Sequence, residues 1–365
     1  MLIDSMHQVL AINPGSTSTK FAVYNEKECV FTKTIRHPLE QLLRYKNIID
    51  QFAFRKGLII EALVEEGIEV DAIKNIIGRG GLTYPLESGV YKVNNLMLDH
   101  LREGVMGHHA SNLGGMLADY IALQIPNAKA FIADPVVTDE MDEVARFAGH
   151  PRFKRQSIFH ALNQKATARL HAKRVGKNYD EMRLIIAHLG GGISVGTHKN
   201  GRVIDVNNAL DGEGAFSPER SGTLPVGQVI DLCFSGKISQ EQIRRMVVGE
   251  GGFVAYLGTN DALEVEKRVE KGDEKAKLVQ EALFYQVSKM IGEMAVVLEG
   301  KVDGILLTGG LAYNKHLETY IRNKAGFISD VFVYPGEDEL EALAINALRV
   351  ASGEIEAKEY NPASE

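Results

Sequence analysis

Hydrophobic residues in this chain come in short runs that break at small polar or glycine-rich turns, between longer stretches of helical spacing. The first run, residues 9–12 (VLAI), ends in NPGSTSTK. The chain resumes with Phe21 and Val23 as an alternating, inward-facing strand, and Lys20 sits at the bend. Period-two alternation predicts a third strand over residues 29–35. From Pro38 the spacing turns helical, with Leu42, Tyr45, Ile49, Phe52, Ile59 and Leu63 on one face. A strand is expected over residues 75–81, ending in Arg-Gly-Gly. Asn94 and Ser111 are placed to cap helices running to Glu103 and Ile125. Residues 129–133 form another apolar run that closes on Asp134-Pro135.

The second half repeats this order. Residues 183–189 predict a strand running into Gly190, Gly191 and Gly192. Residues 193–197 alternate, Asn200-Gly201 signals a tight hairpin, and residues 202–206 complete a third strand. Helices are expected over residues 225–235, 240–248 and 273–299. A strand over 302–307 then ends in Thr308-Gly309-Gly310, a helix follows, and residues 331–334 form the last strand. One unit of strand, turn, strand, hairpin and strand therefore begins near residue 8 and again near residue 183. Duplication of this kind predicts an α/β protein with two like-folded domains and ligands in the cleft between them. The first domain is expected over residues 1–157, completed by the C-terminal helix 340–365, and the second over 158–339. Only the tail from Ser352 reads as loose.

Composition narrows the function classes. The 365 residues suit two domains with separate cores. With a net charge of −7 and pI of about 5.9, a general nucleic-acid surface is excluded, so any anion site is a local basic pocket. No apolar run approaches the ~20 residues of a membrane span, and residues 1–13 lack a signal-peptide pattern, which points to the cytoplasm. Cys29 and Cys233 are expected as buried reduced thiols, and no His/Cys spacing suggests zinc.

The candidate chemistry sits at the turns. At residues 13–20, small residues leave backbone amides, the hydroxyls of Ser16, Thr17, Ser18 and Thr19, and the Lys20 ammonium in one concavity suited to phosphate. A polar hairpin turn fits the same residues. It is not a P-loop, because no G-x-x-x-x-G-K-[ST] occurs and a strand follows. Residues 190–196 are not a dinucleotide fingerprint either, since a hairpin rather than a helix comes next. They read as a second phosphate-facing turn with His188 at its edge, or as a plain glycine turn. Residues 303–314 (DGILLTGGLAYN) place Gly309 and Gly310 where a nucleotide can lie against bare backbone, with Asn314 in reach of a ribose or phosphate.

Taken together, these motifs resemble the acetate and butyrate kinase family, within the superfamily of actin, the 70-kDa heat-shock ATPase and the sugar kinases. The resemblance covers essentially the whole chain. It is carried by Asn13-Pro14-Gly15-Ser16-Thr17-Ser18-Thr19-Lys20, Gly78-Arg79-Gly80-Gly81, His108-His109-Ala110-Ser111-Asn112, Asp134-Pro135, Phe159-His160, His188-Leu189-Gly190-Gly191-Gly192, Glu219-Arg220-Ser221-Gly222 and Thr308-Gly309-Gly310. The wording of the first turn and the His-His-Ala-Ser-Asn run stand nearer the butyrate than the acetate branch. Pro14, His108-His109 and Ala161 depart from the acetate pattern, in keeping with a longer or branched acyl group.

The resemblance implies two ribonuclease-H-like domains (βββαβαβα) with a nucleotide cleft between them, and reversible phosphoryl transfer from ATP to a short-chain fatty acid. Arg79 and Arg220 would clamp the anions, because a guanidinium pairs two oxygens at once. A structural ion pair is the competing role for either. His160 would stabilise the phosphoryl group in transit, His188 would donate to a phosphate, and His109 would lie on the acid side. A core histidine is the alternative for His160 and His188, and His108 competes with His109. Asn13, Asp134 and Glu339 would orient Mg²⁺ or its waters. Glu337, Asp338 and Glu341 crowd the same helix start, where acids also complement the helix dipole. The expected partners are ATP or ADP, Mg²⁺, a short-chain carboxylic acid and further copies of the chain in a homodimer or larger oligomer. The apolar segment 282–298 serves as an interface or as core. Rival readings are an acetate or propionate kinase, a sugar or polyol kinase with Asp134 as base, and an actin-like nucleotide-gated protein.

Overall fold

A computed structural model describes residues 8–362. Among them twelve strands form two sheets: β1 (Gln8–Pro14), β2 (Ser18–Asn25), β3 (Glu28–Arg36), β4 (Asn75–Arg79), β5 (Val90–Lys92), β6 (Lys129–Ala133), β7 (Arg183–Leu189), β8 (Ile193–Lys199), β9 (Arg202–Val206), β10 (Gly304–Gly309), β11 (Val331–Pro335) and β12 (Lys358–Glu359). The chain divides into two compact units. Unit 1 runs to Thr138 and resumes at Asp338; unit 2 is Asp139–Glu337.

In unit 1 the strand order is β12-β5-β6-β4-β1-β2-β3. The pairs β1–β2 and β2–β3 are antiparallel, whereas β4 lies parallel to β1 and β6 parallel to β4. Val9 to Ile12 are fully buried, which is why β1 reads as an unbroken apolar run covered on both faces. Helices Phe52–Glu65 and Asn112–Leu123 join its core through Ile59, Leu63, Leu113, Leu117 and Ile121. Helix Glu339–Ala351 returns to pack on β1 and β4.

Unit 2 repeats the plan as β11-β10-β7-β8-β9. Here β7–β8–β9 is the antiparallel meander, and β10 and β11 are parallel to β7. Asn200 and Gly201 have φ of 54° and 76°, the left-handed pair that a two-residue hairpin turn demands. Long helix Glu274–Val297 starts at Asp273, whose side chain accepts from the Ala276 amide, and it buries Leu283, Phe284, Val287, Met290, Ile291 and Met294. Segment 282–298 is therefore largely core.

Several expectations change. The helix expected from Pro38 is three pieces, Leu39–Leu42, a 3₁₀ turn Ile48–Gln51 and helix Phe52–Glu65. Ser111 does not cap by its side chain; its hydroxyl bonds His109 instead. Cys29 and Cys233 are both exposed, not buried. The tail is tied down: β12 pairs with β5, and Tyr360, 1% exposed, hydrogen-bonds His100. Residues 139–157 belong to unit 2, where Asp142 and Arg155 bond to Ile204, Asp205 and Val206 around β9. No helix among the described residues is long and apolar enough to cross a membrane.

Candidate active-site residues in each unit

The sheet of unit 1 brings three of the candidate residues into contact. Asn13 ends β1 and Arg79 ends the neighbouring β4. The Asn13 amide donates to the Glu339 carboxylate, and Arg79 Nη1 lies 3.1 Å from both Glu339 oxygens. Arg79 Nη1 is also 3.5 Å from Asn13 Oδ1. All these contacts use Nη1, so the guanidinium presents a further donor edge. Lys20 stands directly across from Asn13 in the β1–β2 register and is exposed, so the two side chains share a sheet face.

Close packing explains the glycines around Arg79. A Cβ on Gly78 would lie 2.1 Å from the Gly114 carbonyl, one on Gly80 2.5 Å from the Pro135 ring and one on Gly81 2.6 Å from the Asn112 backbone. These approaches seat helix Asn112–Leu123 and the Asp134-Pro135 turn against the end of β4. Asp134 is 2% exposed with φ of 37°, and its carboxylate accepts from Ser88 Oγ (2.6 Å) and the Gly89 amide (2.9 Å). A buried acid in the left-handed region is strain of the kind found at functional sites. His109 accepts the Ser111 amide at Nδ1, which leaves its ring proton on Nε2. The neighbouring His108 ring lies against Gly104.

Ser16 and Thr17 at the tip of the first turn are exposed and Ser18 is half-buried. Gly15 N–H bonds Ser18 O, closing the turn at 2.8 Å. Under it lies Arg55, a residue the sequence reading did not single out. Its guanidinium donates to the carbonyls of Gly15, Ser16 and Ser18 and to Thr19 Oγ1. The signal was present: Gln51, Arg55, Ile59, Ala62 and Leu63 share the buried stripe of one helical segment, and a cation on such a stripe has a task.

In unit 2 the second turn gathers a different set. His160 precedes helix Ala161–Arg174, and its ring stacks on that of His188, with centroids 3.7 Å apart and planes 12° from parallel. Gln164 Nε2 donates to Ser194 Oγ, so the serine hydrogen is available to His160 Nδ1 at 2.9 Å, and the imidazole proton falls on Nε2. His188 bonds Asn163 Oδ1 through Nδ1 and meets Glu337 Oε1 at 3.0 Å through Nε2. Glu337 thus joins the set from just outside the predicted residues. Arg220 lies against the glycines: a Cβ on Gly192 would fall 2.0 Å from its Nη1. Ser217 Oγ bridges the pair, donating to the Gly191 carbonyl and accepting the Arg220 amide. Gly309 (φ 90°) is required because a Cβ there would meet the Leu189 carbonyl at 2.4 Å, whereas Gly310 faces open space. Asn314 caps helix Lys315–Ala325 by accepting the Leu317 amide, so its side chain is already engaged.

As to a metal, the Glu339 carboxylate supplies oxygens, the donor type that Mg²⁺ takes, while Asn13 turns its amide nitrogen to that carboxylate and its oxygen towards Arg79. No cluster of three or more His, Cys, Asp and Glu among the described residues could hold an ion. The residues present fit an ion that keeps most of its water and draws further ligands from a phosphate chain.

Against known proteins, residues 153–325 match the acetokinase family. Butyrate kinase 2 and butyrate kinase 1 of Clostridium acetobutylicum are each 53% identical to this chain over 97% of its length, covering 99% and 100% of theirs. In fold, the chain resembles the acetate kinase of Porphyromonas gingivalis (TM-score 0.77, 19% identity, 94% of this chain and 99% of that one). It resembles likewise a propionate kinase of Francisella tularensis (TM-score 0.71, 20% identity, 92% and 98%). The two sheets are thus those of the acetate and propionate kinases. The chain itself belongs to the acetokinase family.

Proposed function

We propose that the protein catalyses the reversible ATP-dependent phosphorylation of a short-chain fatty acid, with butyrate as the preferred acid, giving the acyl phosphate and ADP. The observation that carries this reading is the 53% identity to two butyrate kinases over nearly the whole chain.

The chemistry asks for cations more than for a base. A carboxylic acid titrates near ~4 and is already ionised at neutral pH. One carboxylate oxygen attacks the γ-phosphorus in line as the bond to the ADP oxygen breaks, and no proton moves. The barrier lies in bringing two anions together and in the charge on the transferring group. In this reading the outer edge of the Arg79 fork holds the acid, with His109 on the acid side. Lys20 and the turn at Ser16, Thr17 and Ser18 hold phosphate oxygens. In unit 2, Gly190, Gly191 and Gly192 admit the phosphate chain, His160 donates to it from Nε2, His188 does so in place of its contact with Glu337, and Arg220 meets the phosphoryl group. Gly309 and Gly310 accept the nucleoside against bare backbone. Asn13 and Glu339, with Asp134, would hold hydrated Mg²⁺, which neutralises charge on the phosphate oxygens. The chain would act in the cytoplasm as a homodimer or larger assembly.

Purified protein with MgATP and butyrate is expected to yield an acyl phosphate that hydroxylamine traps as the hydroxamate, with butyrate favoured over acetate, propionate, isobutyrate and isovalerate. Trapping with acetate or propionate alone would make it an acetate or propionate kinase. ATP turnover on a sugar panel and none on acids would replace the reading with a sugar kinase.

A further inference from the structure

Arg55 has no part in the chemistry outlined above. It is 0% exposed, and it spends every N–H on a neutral acceptor. Nε and Nη2 reach Gln51 Oε1 at 3.1 and 2.8 Å; Nη1 reaches Gly15 O at 2.7, Ser18 O at 2.9 and Thr19 Oγ1 at 3.1 Å; Nη2 also reaches Ser16 O at 3.2 Å. No carboxylate is among its partners in the described residues. Burial pulls its pKa down to about 10, so the guanidinium still carries its charge at neutral pH. A cation buried with no counter-ion is costly, and an anion arriving beside it would offset that cost.

Its hydrogen bonds also orient the turn. The carbonyls of Gly15 and Ser16 face inward to Arg55. In a trans peptide the N–H points opposite to the C=O, so the amides of Ser16 and Thr17 face outward. That is the side on which both residues are exposed. Successive outward amides over a buried positive charge form a concavity for an anion.

We propose that Arg55 is a positioning residue for the first turn, aiming its amides outward, and that its charge is left unbalanced by the neutral Gln51 so that the bound phosphate balances it. This rests on the reading of residues 13–20 as a phosphate site.

The test is Gln51→Glu, which sets a carboxylate of the same length against Nε and Nη2 and keeps the bonds from Nη1 to the turn. Removing Arg55 outright could unfold unit 1; this substitution cancels its charge without doing so. Thermal unfolding is measured beside the Kd for ATP and for tripolyphosphate alone, and Lys20→Ala is run in parallel. The unfolding temperature of Gln51→Glu is expected to hold or rise while both Kd values increase roughly tenfold, the worth of one charged contact. Unchanged affinity in Gln51→Glu, with weakened binding in Lys20→Ala, would overturn the role of Arg55 and leave the turn a phosphate site. Unchanged affinity in both would overturn the phosphate reading and the proposal with it. Loss of stability and affinity together in Gln51→Glu would also count against it, because cancelling a buried charge should not weaken the fold.

Discussion

The turn at residues 13–20 in unit 1 and the turn at residues 188–194 in unit 2 come from the same repeat of strand, turn and strand, yet they are built in different ways. The first is hollow on top and anchored from below. Its side chains are short, a Cβ on Gly15 would meet nothing nearer than 3.5 Å, and the buried Arg55 grips its carbonyls. The second is crowded at its own level. His160 stacks on His188, Glu337 abuts Gly190, and Arg220 presses on Gly192 so closely that a Cβ there would push its guanidinium aside. Repeating a backbone plan thus does not repeat its chemistry: one turn presents backbone amides, the other presents side chains. In the first, a side chain at the glycine would meet nothing closer than ordinary contact; in the second, it would displace the Arg220 guanidinium.

Arg79→Ala is expected to fold normally and lose about 10²–10³ in kcat, the worth of one aimed cation; wild-type turnover would remove unit 1's clamp from the chemistry. Acid should next expose the underside of the first turn. His37 is 5% exposed, bonds Thr19 Oγ1 at 2.8 Å, and packs on Phe54. Burial, aided by the Arg55 charge, lowers its pKa from 6.5 to about 4. Below pH 6.5 the unfolded chain takes a proton that the folded chain refuses until about pH 4, so stability falls across that window and levels off beneath it. The loss is about 3 kcal/mol, seen as a drop in denaturant midpoint from pH 7 to 4.5 that is smaller in His37→Gln. Equal slopes in both would show that His37 is not the group responsible.

The two glycines provide the sharpest pairing. Gly192→Ala forces the Arg220 guanidinium aside and should cost about 10²-fold in rate, as ~1 Å misplacements do. Gly15→Ala should change rate and stability by no more than about twofold. Steady-state kinetics on both variants checks this, and equal effects would erase the distinction between the turns.

Much of the fold was legible because it is written locally. The apolar run of residues 9–12, the Asn200-Gly201 hairpin and the glycine-terminated strands state their conformation within a few residues, and the recurrence of this order near residue 183 reveals the duplication. Asn13 and Arg79 were both placed at strand ends, but their meeting comes from the parallel pairing of β1 with β4. Glu339 was harder, because several acids crowd one helix start, and only the return of helix Glu339–Ala351 onto β1 and β4 selects it for that contact. The pattern misled at residues 38–63, where helical spacing continues through two breaks, and at Cys29 and Cys233, whose apolar neighbours did not bury them.

By itself the sequence determined the strand–turn–strand repeat, the residue types at each turn and the family to which the chain belongs, since these depend on spacing and on the identity of near neighbours. The tertiary structure alone decided that Arg55 would lie under a turn 40 residues earlier, that Glu337 would face His188, and that Gly192 would have to make room for Arg220. The reason is physical: hydrogen bonds and steric exclusion act through space over a few ångströms, and the chain brings these partners together only after its sheets have formed.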